Sequence, residues 1–152
     1  MDETEKAIRK IKNGVFVITF SLDGINYGLT TAWINRASFK PNMIMASIGR
    51  NRKGYNELLD CEIFCVNILG DVSIEIARHF GDTSGNNINN FKDLEFKFME
   101  NGSPVLKDSV AAFECKLVKK IDAGDHVVLF GEVLNGTDQE GEGMVFNRED
   151  FS

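Results

Sequence analysis

YGLTTAWINRASFKPNMIMASIGRNRKGY, running from Tyr27 to Tyr55, mixes strand-like apolar runs with more Thr, Asn, Ser and Arg than a plain core needs. Met43 to Gly49 reads as a buried strand, because a continuous apolar run of this length is bounded by a Lys40-Pro41-Asn42 turn and by Gly49-Arg50-Asn51. Taken singly, Thr30, Thr31, Asn35 and Ser38 are ordinary strand and loop residues, since Thr favours strands and Asn and Ser favour loops. Together they suggest more. A strand end with hydroxyls and free backbone N–H groups, one indole at Trp33, and a second strand emptying into a basic, Gly-containing loop form a seat for a flat ring with a phosphorylated tail.

Upstream, Glu3 to Lys12 is charged with Ala7, Ile8 and Ile11 on one side and reads as a short amphipathic helix. Val15 to Phe20 is a strand, and Asp23-Gly24 signals a hairpin that returns as Tyr27 to Thr31. Downstream, Asn56 to Leu59 is a helical turn, Glu62 to Leu69 a strand, and Ile74 to Phe80 a helix capped by Asp71 or Ser73 and ended by Gly81. The polar stretch Asp82 to Asn90 reads as a mobile loop. From Ser109 to Lys120, Ala111, Phe113, Cys115 and Leu117 alternate with Ala112, Glu114, Lys116 and Val118, as a half-buried strand does. A Gly124-Asp125 turn then leads into a partner strand from His126 to Leu134. Many strands and few helices predict a mainly β protein, an antiparallel barrel with peripheral helices.

The 152 residues predict a single domain, large enough to bury a core without disulfides. A net charge of −6 argues against a nucleic-acid surface, which needs clustered Lys and Arg. No apolar run approaches bilayer length, and Met1-Asp2-Glu3-Thr4-Glu5 lacks the basic-then-apolar order of a signal peptide, so the expected location is cytoplasmic. Cys61, Cys65 and Cys115 have no Cys-x-x-Cys spacing, and with two histidines in the chain no metal site is expected. Cys115, inside an alternating strand, reads as a small buried apolar residue. There is no Walker loop, Gly-x-Gly-x-x-Gly fingerprint or Gly-x-Ser-x-Gly elbow, and nothing around His79 or His126 favours a Ser/His or Cys/His nucleophilic pair.

Thr31-Ala32-Trp33, then Ser38-Phe39-Lys40-Pro41-Asn42 and Ala46-Ser47-Ile48-Gly49-Arg50, resemble the flavin reductase-like family with its FMN-binding split β-barrel. Val66-Asn67, Ile76 to Gly81, Gly102 to Leu106, Glu114-Cys115 and Gly124-Asp125-His126 to Val133 follow in the family's order and approximate spacing, covering nearly the whole chain. The resemblance implies that the flavin ring lies against Thr30, Thr31, Ala32, Trp33, Ile34 and Asn35, whose N–H groups and Thr and Asn side chains hydrogen-bond its pyrimidine edge. It sets Ser47, Ile48 and Gly49 beside the ribityl chain, with Arg50, Arg52 and Lys53 at the phosphate, and it adds Tyr55, Phe80 and Gly81 to the cofactor-binding set. Guanidinium groups suit a phosphate because they offer planar, paired donors. Trp33 has a second reading, as a core or dimer-interface residue, and an exposed basic loop is the plain alternative for each of the three cations.

By the same resemblance His126 lies where a nicotinamide approaches the flavin. His79, near a helix end, reads equally as a C-terminal cation. The chain departs from the family at Gly54-Tyr55, where relatives often carry Thr or Ser followed by His. It departs again at Asn86 and Asn90, where many carry basic residues after Ser84-Gly85, which puts efficient use of NADPH in doubt first. The closing stretch Met144 to Ser152 is short beside many relatives and would leave the flavin more exposed. What the resemblance implies is a homodimer with flavin sites near the subunit interface. It would bind FMN, with FAD or riboflavin as alternatives, and move hydride from NADH or NADPH to flavin N5 for delivery to free flavin, iron or a redox protein. The competing expectation is a flavoredoxin-like electron carrier that exchanges electrons only with partner proteins.

Overall fold

The Asp23-Gly24 pair forms the hairpin turn with both residues at positive φ, 53° and 80°, the geometry that matches the right-handed twist of the flanking strands. It joins β1 (Phe16–Leu22) to β2 (Ile25–Thr31), and Leu22 pairs with Ile25. In this computed structural model, which describes residues 1–151, these two strands begin a seven-stranded antiparallel sheet. The other strands are β3 (Ile34–Ser38), β4 (Met43–Gly49), β5 (Ile63–Leu69), β8 (Ser109–Ala123) and β9 (His126–Asp138), in the order β2-β1-β5-β8-β9-β4-β3. The short strands β6 (Phe96–Phe98) and β7 (Pro104–Leu106) form a separate ribbon. Three helices are peripheral: α1 (Glu3–Ile8), α2 (Tyr55–Asp60) and α3 (Ile74–Phe80).

The two edge strands, β2 and β3, are consecutive in the chain. Ala32 and Trp33 therefore cross from one edge of the sheet to the other and roll it into a split barrel. The Ser47 N–H bonds the Trp33 carbonyl at 2.9 Å across this junction. Inside lie Ile18, Phe20, Leu29, Ile44, Ala46, Ile48, Phe64, Val66 and Leu129. Val15, Val17, Leu69, Ala77, Phe80, Phe91 and Leu106 form a second core between the outer face of β1 and β5 and the layer of α3 and β7. Covered on both faces, β1 and β5 are buried at consecutive positions, Val17 to Phe20 and Phe64 to Asn67. Asn67 fixes that outer layer: its Nδ2 donates to the Val17 carbonyl and to Thr19 Oγ, and its Oδ1 accepts from Leu106 N–H at 2.9 Å.

Several local expectations are corrected. β4 is not buried throughout; Ile44, Ala46 and Ile48 face the core while Met45 on the other face is 36% exposed, because no helix covers that side of the sheet. In β8 the alternation holds from Ala111 to Leu117, with Phe113, Cys115 and Leu117 toward the barrel core; Ala112 and Glu114, on the other face as expected, are nevertheless buried, because Val105 of β7 and the segment from 101 to 103 cover them. α1 stops at Ile8 and buries nothing, leaving Ile8 and Ile11 exposed. Neither Asp71 nor Ser73 caps α3: a 3₁₀ turn, Asp71–Ser73, precedes it, and the Ser73 hydroxyl donates to the Asp108 carbonyl at 2.7 Å instead. Among the described residues, the loop from 82 to 90 meets the barrel through one hydrogen bond, from Gly28 N–H to the Ile88 carbonyl at 2.7 Å.

All three cysteines are free and buried, and burial pushes each thiol up to about 12. Among the described residues no group of His, Cys, Asp and Glu could hold a metal ion, and no helix is long and apolar enough to cross a membrane.

Candidate functional site

The split between β2 and β3 opens into a cleft of about 590 Å³. Of the residues singled out in the sequence, Thr30, Thr31, Ala32, Trp33, Ser47, Gly49, Arg52, Lys53, Gly81 and His126 line it together. They converge because β2 ends, β4 ends, α3 ends and β9 begins at this one rim of the barrel. The remaining candidates stand elsewhere. Ile48 and Phe80 are buried in the two cores, and Ile34 and Tyr55 pack against the first of them. Asn35 points away, its Oδ1 accepting from the Arg36 N–H at 2.8 Å.

Arg50 is committed outside the cleft. Its guanidinium bonds Asp122 at 2.6 Å and the Gly124 carbonyl at 3.1 Å, tying the end of β4 to the β8–β9 turn, and the Asp122 carboxylate holds its pKa above the ordinary value. Arg52, two residues on, turns inward. It is half-buried and donates from Nη1 to the Thr30 carbonyl at 2.8 Å; burial lowers its pKa, and no carboxylate faces it among the described residues. The stem of Lys53 lies against Gly85. Gly54 follows at φ +89°, a backbone that L side chains rarely adopt, so the loop's geometry accounts for the glycine.

Hydrogen-bonding capacity on the cleft wall is uneven. The Thr30 hydroxyl is spent on the Ala77 carbonyl at 2.7 Å, and Thr31 Oγ accepts from Trp33 N–H at 3.3 Å while keeping its own proton. The Ala32 N–H and the Ser47 hydroxyl have no partner among the described residues. Opposite, the His126 ring lies 4.9 Å from Trp33 at 31°. Its Nδ1 is 2.8 Å from Asp125 Oδ1; a carboxylate only accepts, so Nδ1 carries a proton and Nε2 is the nitrogen left facing away from Asp125. The hydrogen bond from His126 in turn holds the Asp125 carboxyl below its usual range.

Sequence reasoning missed Val15, Asn51, Asp82, Thr83, Ile88 and the closing residues Phe146, Arg148 and Phe151, all on the cleft wall. The tail does not leave the cleft bare. It pairs back through Val145 with Gly14, and Phe146 N–H bonds the Asn13 carbonyl at 2.7 Å. Two phenylalanines within six residues of a polar tail were the signal available.

Comparison with known proteins agrees with this architecture. A family model described as flavin reductase like domain matches residues 8–152. Among solved structures, the flavin reductase PheA2 superposes with a TM-score of 0.84 at 29% identity, covering 96% of this chain and 94% of that one. An NADH:FAD oxidoreductase, SgcE6, of Streptomyces globisporus gives 0.86 at 24% identity over 100% and 93%, a likeness of fold. Diflavin flavoprotein A 1 of Synechocystis sp. is 27% identical over 143 residues, 93% of this chain and 25% of that protein, so the chain spans about a quarter of the curated relatives it matches. The family match runs through every strand that builds the cleft, and the chain belongs to the flavin reductase-like family.

Proposed function

We propose that the cleft holds a flavin, FMN first with FAD or riboflavin as alternatives, and that the chain is an NADH- or NADPH-dependent reductase of flavin or ferric iron. Arg52 carries this reading. A guanidinium withdrawn from water without a counter-ion is costly, and a ligand phosphate offsets that cost with charge-assisted hydrogen bonds. The rest of the wall suits the remainder of the molecule. Ala32 N–H and the Thr31 and Ser47 hydroxyls are donors for a heteroaromatic edge and a polyol, and Val15 and Ile88 supply apolar surface.

Bound flavin supplies a hydride-accepting N5. The protein's residues bind, orient and shield it. Arg52, fixed on the Thr30 carbonyl, sets the depth of the phosphate, while the donors of the Thr31–Trp33 segment suit the negative charge of a reduced ring. His126, oriented by Asp125 and packed on Trp33, closes one side to water and presents Nε2 to an incoming nicotinamide.

A homodimer belongs to the same proposal. Met45 pairs with Phe130 and Ile121 with Val128 on the outward face of β4, β9 and β8, beside Trp33, which is 55% exposed. Apolar surface of this kind at the cleft mouth supports a second copy covering it.

A second reading, an electron carrier with bound FMN, is favoured by the diflavin relatives, in which the matching segment is a quarter of the protein. Anaerobic absorption spectra of the FMN-loaded protein test both readings. Bleaching by NADH or NADPH is the expected result. Bands that persist until dithionite is added would favour the carrier, and no binding of FMN, FAD or riboflavin would refute both.

A further inference from the structure

We infer that Arg148, flanked by Phe146 and Phe151, forms the subsite for the adenosine phosphate part of a dinucleotide in the cleft, an inference that rests on the flavin reading above. FMN carries one phosphate, and Arg52 with Lys53 on the loop after β4 provides for it. Arg148 comes from a different element, the 3₁₀ turn Arg148–Phe151, and lines the same cleft with no carboxylate partner among the described residues. It is a second guanidinium with no counterpart in a mononucleotide.

Its neighbours match an adenosine. The Phe146 and Phe151 rings lie 5.5 Å apart at 20° and are half-buried on the cleft wall, and aromatic faces of this kind take a purine by stacking. The turn is held in place. Arg78 Nε donates to the Asp150 carbonyl at 2.7 Å, and Phe146 N–H is bonded to Asn13. The neighbouring rim cannot supply the charge: Asp82 to Asn90 contains no Lys or Arg. It presents instead the Asp82 carboxylate, which the Ser84 N–H holds below its usual pKa and which repels a phosphate. The positive charge on this side of the cleft thus comes from the tail.

The moiety occurs both in FAD and in NADH or NADPH, and calorimetric titration of the wild type, R148Q and R148K with FMN, FAD, NADH and NADPH separates them. R148Q is expected to weaken at least one dinucleotide about five- to tenfold relative to FMN, with R148K recovering part of the loss. Loss confined to FAD assigns the flavin's adenylate, loss for both nicotinamide dinucleotides the coenzyme's, and loss for NADPH alone its extra phosphate. Equal weakening of all four ligands would show a merely structural tail and overturn the inference, as would no weakening of any. If FMN binds but no dinucleotide responds to R148Q, the subsite fails and the flavin reading stands. If no flavin binds while NADH still responds, the flavin reading fails and the subsite stands; if nothing binds, both fail.

Discussion

Arg52 sets stability against binding. Its guanidinium is desolvated, makes one hydrogen bond to the Thr30 carbonyl and has no acid opposite it among the described residues. Arg52→Gln keeps a donor for that carbonyl and removes the charge, so urea unfolding of the ligand-free protein should be unchanged or up to about 1 kcal/mol more favourable to the fold. FMN affinity should fall at least about tenfold, the loss of one charge-assisted hydrogen bond. A variant that loses stability and keeps its affinity would show Arg52 to be a structural cation. Arg50 should behave oppositely: Arg50→Gln cuts the link to Asp122 and leaves FMN affinity within about twofold, because that side chain does not reach the cleft. The sequence could not tell these two arginines apart. Both follow Gly49, and what separates them is Asp122, which comes to Arg50 from 72 positions away. Ser47 and His126 were reached through the family resemblance and Thr31 and Trp33 through the polar residues and lone indole of their segment; the structure sets all four on one cleft. Phe146 and Arg148 were not reached, since only the folding back of the tail onto Gly14 brings them to the same rim.

Among the elements, β8 holds the buried charge that its sequence hides. Glu114 is 0% exposed and accepts from Asn101 N–H, Asn101 Nδ2, Ser103 N–H and Asn135 Nδ2 at 2.9–3.1 Å, so its carboxylate fastens the segment leading into β7 to the barrel wall. Burial alone would raise its pKa, but the Asn135 side chain and the Asn101 and Ser103 N–H groups together hold it below the usual range. A depressed carboxyl contributes stability that is fully present above its unfolded value of about 4.3 and is lost as pH falls through the lower folded value. Glu114→Gln turns an acceptor into a donor facing donors. It should cost about 2–4 kcal/mol at pH 7 and should flatten the loss of stability below about pH 4.5 that the wild type shows in urea titrations. Gly54 makes the complementary case at a helix start. Gly54→Thr, which adds the hydroxyl that the family resemblance leads one to expect, meets a φ of +89° and should cost about 1–2 kcal/mol without tightening FMN, as paired denaturation and binding titrations would show. The hairpin at Asp23-Gly24 and the strands around it could be read directly, because turn chemistry and period-2 alternation are local. The burial of Glu114 could not. It lies on the outer face of β8, as the alternation predicts, and what covers it is the segment from 101 to 103.

At the scale of the molecule, the barrel exposes one side that a solitary chain would have no reason to keep apolar. Met45, Val118, Ile121, Phe130 and Val128 lie on β4, β9 and the second half of β8; β7 packs on the first half of β8, where Ala112 meets Val105. Elsewhere on the barrel α3 and β7 bury the second core, so the uncovered strands are where the proposed second copy would complete the layering. The interface of a stable dimer buries roughly 1,200–2,000 Å² in total, and the proposed two-fold contact would use the β4–β9–β8 face, next to which Trp33 packs on His126 at the start of β9. Sedimentation velocity should give twice the 17.0 kDa chain mass at micromolar concentration. Ile121→Asp, on a side chain 43% exposed and outside both cores, should leave the fold intact by circular dichroism and raise the dimer dissociation constant about a hundredfold, as a buried unpaired charge does. Because Trp33 and His126 form the cleft wall next to this face, the same variant should also weaken FMN binding at concentrations where it is monomeric, and raising the protein concentration should restore it. A monomeric wild type, or a monomeric I121D that binds FMN as tightly as the dimer, would separate the cleft from the interface and leave the exposed apolar strands to some other partner.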